Sequence, residues 1–309
     1  MSAIDTNYMR ETFLNVFQQT TQQTTSALLK HPQLLVYDNQ KGAIHNFARL
    51  PKAVLAKITS RNQASNPGSF AADNYMWRAD KYVGEMYLDK DVDVMEAIAD
   101  PTSEVFKSMK YAAERLVDKV GFTSAVDAIL KGAPNTAGVS TTFASEGGIT
   151  VDATAGLDEA AVRHILQAAF NNGLSKEEIS NSVMFGSGAE SSALLAMSTV
   201  INEFYITAAD SITGGQIDRI YKSFGYDAVP GSDSEHTLTS ADILLPENTG
   251  VRTCLFLAPE SLMVYLDIDE IEYFDKTEAT VDSALLRYKL KVGVARKDAA
   301  RVIAVSTTI

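Results

Sequence analysis

Four groups of residues in this 309-residue chain have types and spacing that could do chemistry. Gly186-Ser187-Gly188 follows the apolar stretch Val183 to Phe185 and opens a helical pattern. That is the setting in which backbone N–H groups cradle a phosphate. The full dinucleotide fingerprint and the Gly-Lys-Ser/Thr of a phosphate loop are absent, however. Ser187 and Glu190 also have capping-box spacing, so a turn and a helix cap account for these residues. Asp89, Asp91, Asp93, Glu96 and Asp100 form an acidic run resembling part of a calcium loop. It lacks the central Gly and closing Glu, and reads as a solvated or subunit-facing patch. The four histidines, His31, His45, His164 and His236, have no partner at metal-ligand spacing and read as structural or surface residues. Cys254 stands alone in the apolar run Cys254-Leu255-Phe256-Leu257, the context of a buried, inert thiol. Gly-x-Ser-x-Gly, His-Glu-x-x-His and Cys-x-x-Cys do not occur. The sequence therefore points to no catalytic, cofactor-binding or metal residues, and to a protein that is not an enzyme.

The bulk composition agrees. The chain is 46% hydrophobic and 21% charged, as globular proteins are. Its formal net charge of −12 argues against nucleic-acid binding as the main activity, because phosphate neutralisation needs clustered Lys and Arg. One cysteine gives no disulfide framework and suits a reducing compartment. The start, Met-Ser-Ala-Ile-Asp, has no signal-peptide pattern. No apolar run approaches the ~20 residues of a membrane span.

The elements that would position these residues are organised around Tyr75 to Leu130. Tyr82, Gly84, Met86 and Leu88 alternate with polar neighbours, the two-residue period of a half-buried strand. Asp100-Pro101 then supplies an N-cap and a first helical residue. Val105, Met109, Ala112, Leu116 and Val120 make an apolar stripe, with Lys107, Lys110, Glu114, Arg115 and Asp118 mostly off it. A helix from Pro101 to Lys131 is expected, possible bend at Gly121 included. Before it, residues 1 to 40 read as an arm with a Gln/Thr-rich middle, ordered against another surface. Ile44 to Thr59 and the strand from Asn74 onward form a long hairpin with its tip at Asn66-Pro67-Gly68. Such a hairpin needs a surface to pack on. After the helix, Asp158 and Ser175/Glu178 mark helix starts, and the Ser187/Glu190 helix is expected to run to Ile201. Val251 to Leu257 reads as a strand, and Pro259 to Tyr265 as a short helix or turn. Leu286, Tyr288, Leu290, Val292 and Val294 alternate with Arg287, Lys289 and Lys291, giving a strand with one apolar and one basic face. Arg301 to Val305 is a last strand. Segregated helices and strands favour α+β.

This order of parts resembles the major capsid proteins of tailed bacteriophages, with the Hong Kong 97-like fold. The resemblance rests on Tyr82-Val83-Gly84-Glu85, Asp91-Val92-Asp93 and Asp100-Pro101-Thr102-Ser103 before the long helix. It rests equally on Arg287 to Arg296 followed by Ala299-Ala300-Arg301-Val302-Ile303, and on Val183-Met184-Phe185 before a capped helix. It implies an N-terminal arm (1–40) and an extended hairpin, the E-loop (41–90). It further implies a peripheral domain with the spine helix (91–154 and 266–309) and an axial domain (155–265). The implied function is a structural shell protein that self-assembles as pentamers and hexamers into an icosahedral capsid around double-stranded DNA. Arm and hairpin would contact adjacent subunits. The implied partners are other copies of the chain, scaffolding and portal proteins, and packaged DNA through weak non-specific contact, with no membrane. The implied place is the virion capsid, assembled in the host cytoplasm. Some relatives cross-link through Lys and Asn. Lys52, Lys57 and Asn62 lie on the hairpin, but the sequence gives no sign of that chemistry. An encapsulin-like compartment shell, a tail or connector protein, and a soluble α+β enzyme holding a metal on Asp89, Asp91 and Asp93 are the alternatives.

Overall fold

The computed structural model describes residues 23–39, 41–50, 72–89, 101–132, 136–196, 219–220, 223–230, 243–248, 250–274 and 283–308. In chain order its elements are β1 (Leu35–Tyr37), β2 (Ile44–Arg49), β3 (Asp73–Arg78), β4 (Asp80–Asp89) and the long helix α1 (Pro101–Val126). Then come β5 (Ile129–Lys131), β6 (Val139–Thr141), β7 (Ile149–Ala153), α2 (Glu159–Asn171), α3 (Lys176–Ser180), β8 (Val183–Gly186) and α4 (Gly188–Ala196). The last are β9 (Arg219–Ile220), β10 (Phe224–Ala228), β11 (Glu247–Asn248), β12 (Val251–Leu257), β13 (Leu262–Phe274), β14 (Ser283–Arg296) and β15 (Val302–Thr308).

The strands form three sheets. One has the order β1-β13-β14-β4 and carries α1 on its face. A second runs β7-β15-β12-β8-β10-β9, with β11 beside β12. The third is β2-β3-β5-β6. The second sheet holds the deepest core. Cys254, Leu255, Phe256 and Leu257 of β12 and Val302, Ile303 and Val305 of β15 have no exposed surface. Their near-continuous apolar sequence is what a strand covered on both faces requires. Helix α2 lies on β7 and β15 and seats Val162, Ile165 and Ala169 in that core. The Phe122 ring of α1 meets Phe185 of β8 at 5.0 Å, joining the helix to the same core.

Local signals act as expected at several helix starts. Pro101 is the first residue of α1. Asp158 accepts the Ala161 N–H, and Ser175 with Glu178 closes a full capping box. Long-range contacts correct the expectation elsewhere. Helix α1 stops at Val126, not Lys131, and Ile129–Lys131 is a strand paired with β3 and β6. The stop is made by Arg296, whose Nη1 donates to the carbonyls of Ala125 (2.8 Å) and Asp127 (2.9 Å). Those acceptors at the helix end would otherwise be unsatisfied. The hairpin consists of β2 and β3, with Ile44 opposite Arg78. Past Ala79 the chain leaves it, and β4 pairs with β14 along ten positions. Gly293 permits that crossing, because a Cβ there would lie 2.6 Å from Trp77 and 2.7 Å from the Ala79 backbone. Pro259-Glu260 is a turn, and Leu262 already begins β13, so no helix forms there. Residues 23–39, read as arm, pack on the chain's own body: Leu28 and Leu34 are fully buried and β1 pairs with β13. Sheet membership also crosses the boundaries expected at 154 and 266. Strands β7 and β15 belong to the sheet of β8 and β12.

Candidate assembly site

Ser187, Glu190 and Cys254, flagged for chemistry, are structurally committed. Ser187 links β8 to α4, and its N–H donates to the Glu190 carboxylate at 2.8 Å. Arg252 Nη1 donates to Ser187 Oγ (2.6 Å) and to Glu190 (2.8 Å), and Thr307 Oγ1 donates to Glu190 (2.7 Å). The Tyr226 hydroxyl donates to the Ser187 carbonyl at 2.9 Å. The chain's own carboxylate thus fills the anion position at this helix start, and a phosphate would meet it in repulsion. Burial opposes ionisation of Glu190, but the hydrogen bonds from Ser187 and Thr307 and the Arg252 charge outweigh it. They hold the carboxyl below the usual range. Cys254 lies 3.7 Å from Thr307 Oγ1, and burial pushes its thiol up to about 12, so it stays protonated and unreactive.

His31 faces Asp227 at 3.3 Å, His45 is buried against Asp38 at 2.9 Å and stacked on Trp77, and His164 is exposed on α2. His236, the acidic residues 91–100, Lys52, Lys57 and Asn62 lie outside the described residues; Asp89 ends β4. Among the described residues, no group of three or more His, Cys, Asp or Glu could hold a metal.

The residues that organise the molecule were not singled out by sequence. Asp118 of α1 has no exposed surface. It accepts from Gln23 Nε2 (2.7 Å), from the N–H groups of Ala27 (2.8 Å) and Leu28 (3.0 Å), and from Ser26 Oγ. Glu114, one turn earlier, accepts the Ser26 N–H at 3.1 Å. Two acids four residues apart on one helix face thus clamp the segment that leads into β1. Burial raises the Asp118 carboxyl above its ordinary value, and its donors only partly offset that. A signal was present: Asp118 shares a helix face with Gly121, Phe122 and Ala125, all small or apolar. Gly121 is there because a Cβ would come within 2.5 Å of Leu28 Cδ2.

A second buried hub anchors the hairpin. Arg296 donates to Glu146 at 2.9 Å besides capping α1, and its guanidinium lies 5.0 Å from the centre of the Phe143 ring. Arg49, at the end of β2, lies 3.7 Å from the same Glu146, donates to the Lys297 carbonyl (3.0 Å) and stacks 4.4 Å from the Tyr75 ring centre. Lys291 donates to the Gly42 carbonyl at the other end of β2. The hairpin base is therefore fixed to the body at both ends of one strand. The outer face of the sheet that the hairpin shares with β5 shows Ile44 and Leu130, 66% and 42% exposed. The buried charges hold the hairpin base and the segment before β1 in place.

The family described as phage capsid protein matches residues 4–308. This chain belongs to that family. Solved structures agree in fold. A structure of the head of Helicobacter pylori bacteriophage KHP40 aligns with TM-score 0.65 at 8% identity, covering 94% of each chain. One of Mycobacterium phage Che8 aligns at 0.63 with 11% identity, covering 93% of each. The capsid of cyanophage P-SCSP1u gives 0.61 at 11% identity, over 94% of this chain and 90% of that one. Comparison with curated proteins gave no match. The α+β capsid fold expected from the resemblance is the fold observed, and this capsid family member is a structural, non-enzymatic major capsid protein of the virion. Many copies of it build the shell.

Proposed function

We propose that this capsid protein closes an icosahedral shell of pentamers and hexamers around double-stranded DNA. The observation that most supports this is the family match over residues 4–308. In this reading the hairpin reaches a neighbouring subunit, so stability is coupled to assembly. The spine helix α1 with the β4/β14 sheet forms the peripheral region, and residues 155–265 the axial region around the symmetry axes. Sheet pairing favours counting β7 and β15 with the axial region. Assembly in the host cytoplasm with separate scaffolding and portal proteins belongs to the same proposal. So does weak DNA contact, with acidic faces turned inward to keep the packaged charge from adhering.

Negative-stain electron microscopy of the expressed protein, beside size-exclusion chromatography, tests the assembly. Closed shells tens of nanometres across, or capsomer-sized rings, are the expected result (about that scale for assemblies of many such chains). A subunit that stays monomeric or dimeric across salt and concentration would refute it.

A further inference from the structure

Strand β4 ends its sheet. Among the described residues it pairs only with β14, over ten residues, while the strands at the other ends of the sheets have two to six. An edge of that length presents a row of backbone N–H and C=O groups, a template for another strand. The row stands in the open: Lys81, Gly84 and Glu85 are exposed and Val83 is 49% exposed. Tyr82 packs against the core, so Lys81, Val83 and Glu85 share the outer face. On that face Lys81 lies opposite Lys291 of β14, a like charge, and Glu85 holds Arg287 at 2.7 Å with 41% of its side chain exposed. A lysine on an edge strand ordinarily discourages further strands. Here a glutamate follows it four residues later, which reverses that effect for one partner, an antiparallel copy of the same strand.

We propose that β4 pairs edge to edge with β4 of a second copy, antiparallel across a two-fold axis through Val83. The sequence of the edge is self-complementary in that register. Val83 of each copy meets Val83 of the other, and Lys81 of each faces Glu85 of the other, so the two-fold makes the charge pair twice. On the core side Tyr82 of each copy faces Gly84 of the other. A Cβ on Gly84 would meet nothing within 4 Å, so the incoming ring has room to cover the glycine. Competing registers lose these matches. A slip of four residues sets Lys81 against Lys81 or Glu85 against Glu85, and like charges directly opposite are destabilising. A slip of one sets the charged face of each copy beside the core face of the other. The pairing rests on the reading of this chain as a shell subunit and adds to it where two subunits join. An icosahedral shell has two-fold axes, and an isologous contact of this kind belongs on one. The same contact closes the edge, which removes the strand from further pairing.

The test is Val83→Cys in the full-length chain under mild oxidation, read by non-reducing gel and peptide mass mapping, with negative-stain microscopy of the same sample. The native Cys254 is fully buried and does not compete. Directly opposite Cα atoms of an antiparallel pair lie about 4.5–5.5 Å apart, within disulfide range. The expected product is two chains joined through position 83 in most molecules. Gly84→Cys is the control. Its two copies would stand roughly 8 Å apart in this register, too far to bridge, and should yield at least about fivefold less. Equal yields from the two variants would overturn the pairing. Shells in which position 83 stays unlinked would overturn it too, and leave the shell reading standing. Linked pairs without shells would uphold the pairing and count against the shell, and an unlinked sample without shells would overturn both. A second measurement places Lys81→Glu and Glu85→Lys in separate Val83→Cys chains, with Trp77 emission reporting that each is folded. Each chain alone sets like charges together twice across the axis, and its cross-linking should fall at least about fivefold. Mixing the two restores both charge pairs, so a heterodimer should form with the yield of the parent. Folded chains whose mixture links no better than either alone would overturn the proposal.

Discussion

Asp118→Ala is the substitution from which the architecture predicts most. The carboxylate has no exposed surface, and its donors include the Ser26 hydroxyl and the N–H groups of Ala27 and Leu28, residues themselves at most 2% exposed. Alanine leaves these three donors in place with no acceptor. An unsatisfied buried donor costs roughly 1–3 kcal/mol, so three would cost roughly 3–9 kcal/mol. Against this stands relief from burying the charge, whose penalty is already visible as the raised Asp118 carboxyl. The net expectation is about 3–5 kcal/mol, a large part of the ~5–15 kcal/mol of a typical folded chain. Urea unfolding of the unassembled subunit, followed by Trp77 emission, measures it. The pH dependence checks the cause. Because the folded carboxyl sits above its unfolded value, this site's contribution is greatest below the unfolded value and declines as pH rises through the folded one. Asp118→Asn cannot titrate. The stability gap between parent and Asn variant should therefore narrow with rising pH across that window and then level off. A loss below about 1 kcal/mol for the Ala variant, or a gap that widens with pH there, would refute the clamp.

Other sites carry their own signatures. Arg296→Met should cost about 3–5 kcal/mol in the same unfolding assay, since it strands buried Glu146 and uncaps the carbonyls of Ala125 and Asp127. Amide exchange in the last turn of α1 should rise with it. Glu190 is held below the usual carboxylate range, so its contribution is present above the unfolded carboxylate value and lost as pH falls through the folded one. Glu190→Gln should lower stability at neutral pH and flatten the acid side of the stability-pH curve. Gly121→Ala gains roughly 1 kcal/mol of helix propensity. It also drives a Cβ to 2.5 Å from the buried Leu28, where overpacking costs roughly 1–3 kcal/mol. Net destabilisation of about 1 kcal/mol is expected, and a stabilised variant would show that Leu28 has room to move.

Much of the fold was legible in the chain because it is locally encoded. The alternation of Leu290, Val292 and Val294 with Lys289 and Lys291 announced β14, and Val251 to Leu257 announced a strand. Asp158, Ser175 and Glu178 marked helix starts because capping is a contact over two or three residues. What tertiary structure decided lies in contacts too distant for any window to register. Asp118 looked like a solvent-side acid, and became the clamp through residues 90 positions away. Where α1 stops was set by Arg296, 171 positions from the carbonyl it caps. Strand β4 looked like the return of a hairpin because period two says which face is apolar, not which strand lies beside it. Pairing partners, buried charges and helix ends of this kind depend on where the backbone brings remote donors and acceptors together, and only the folded chain sets those distances.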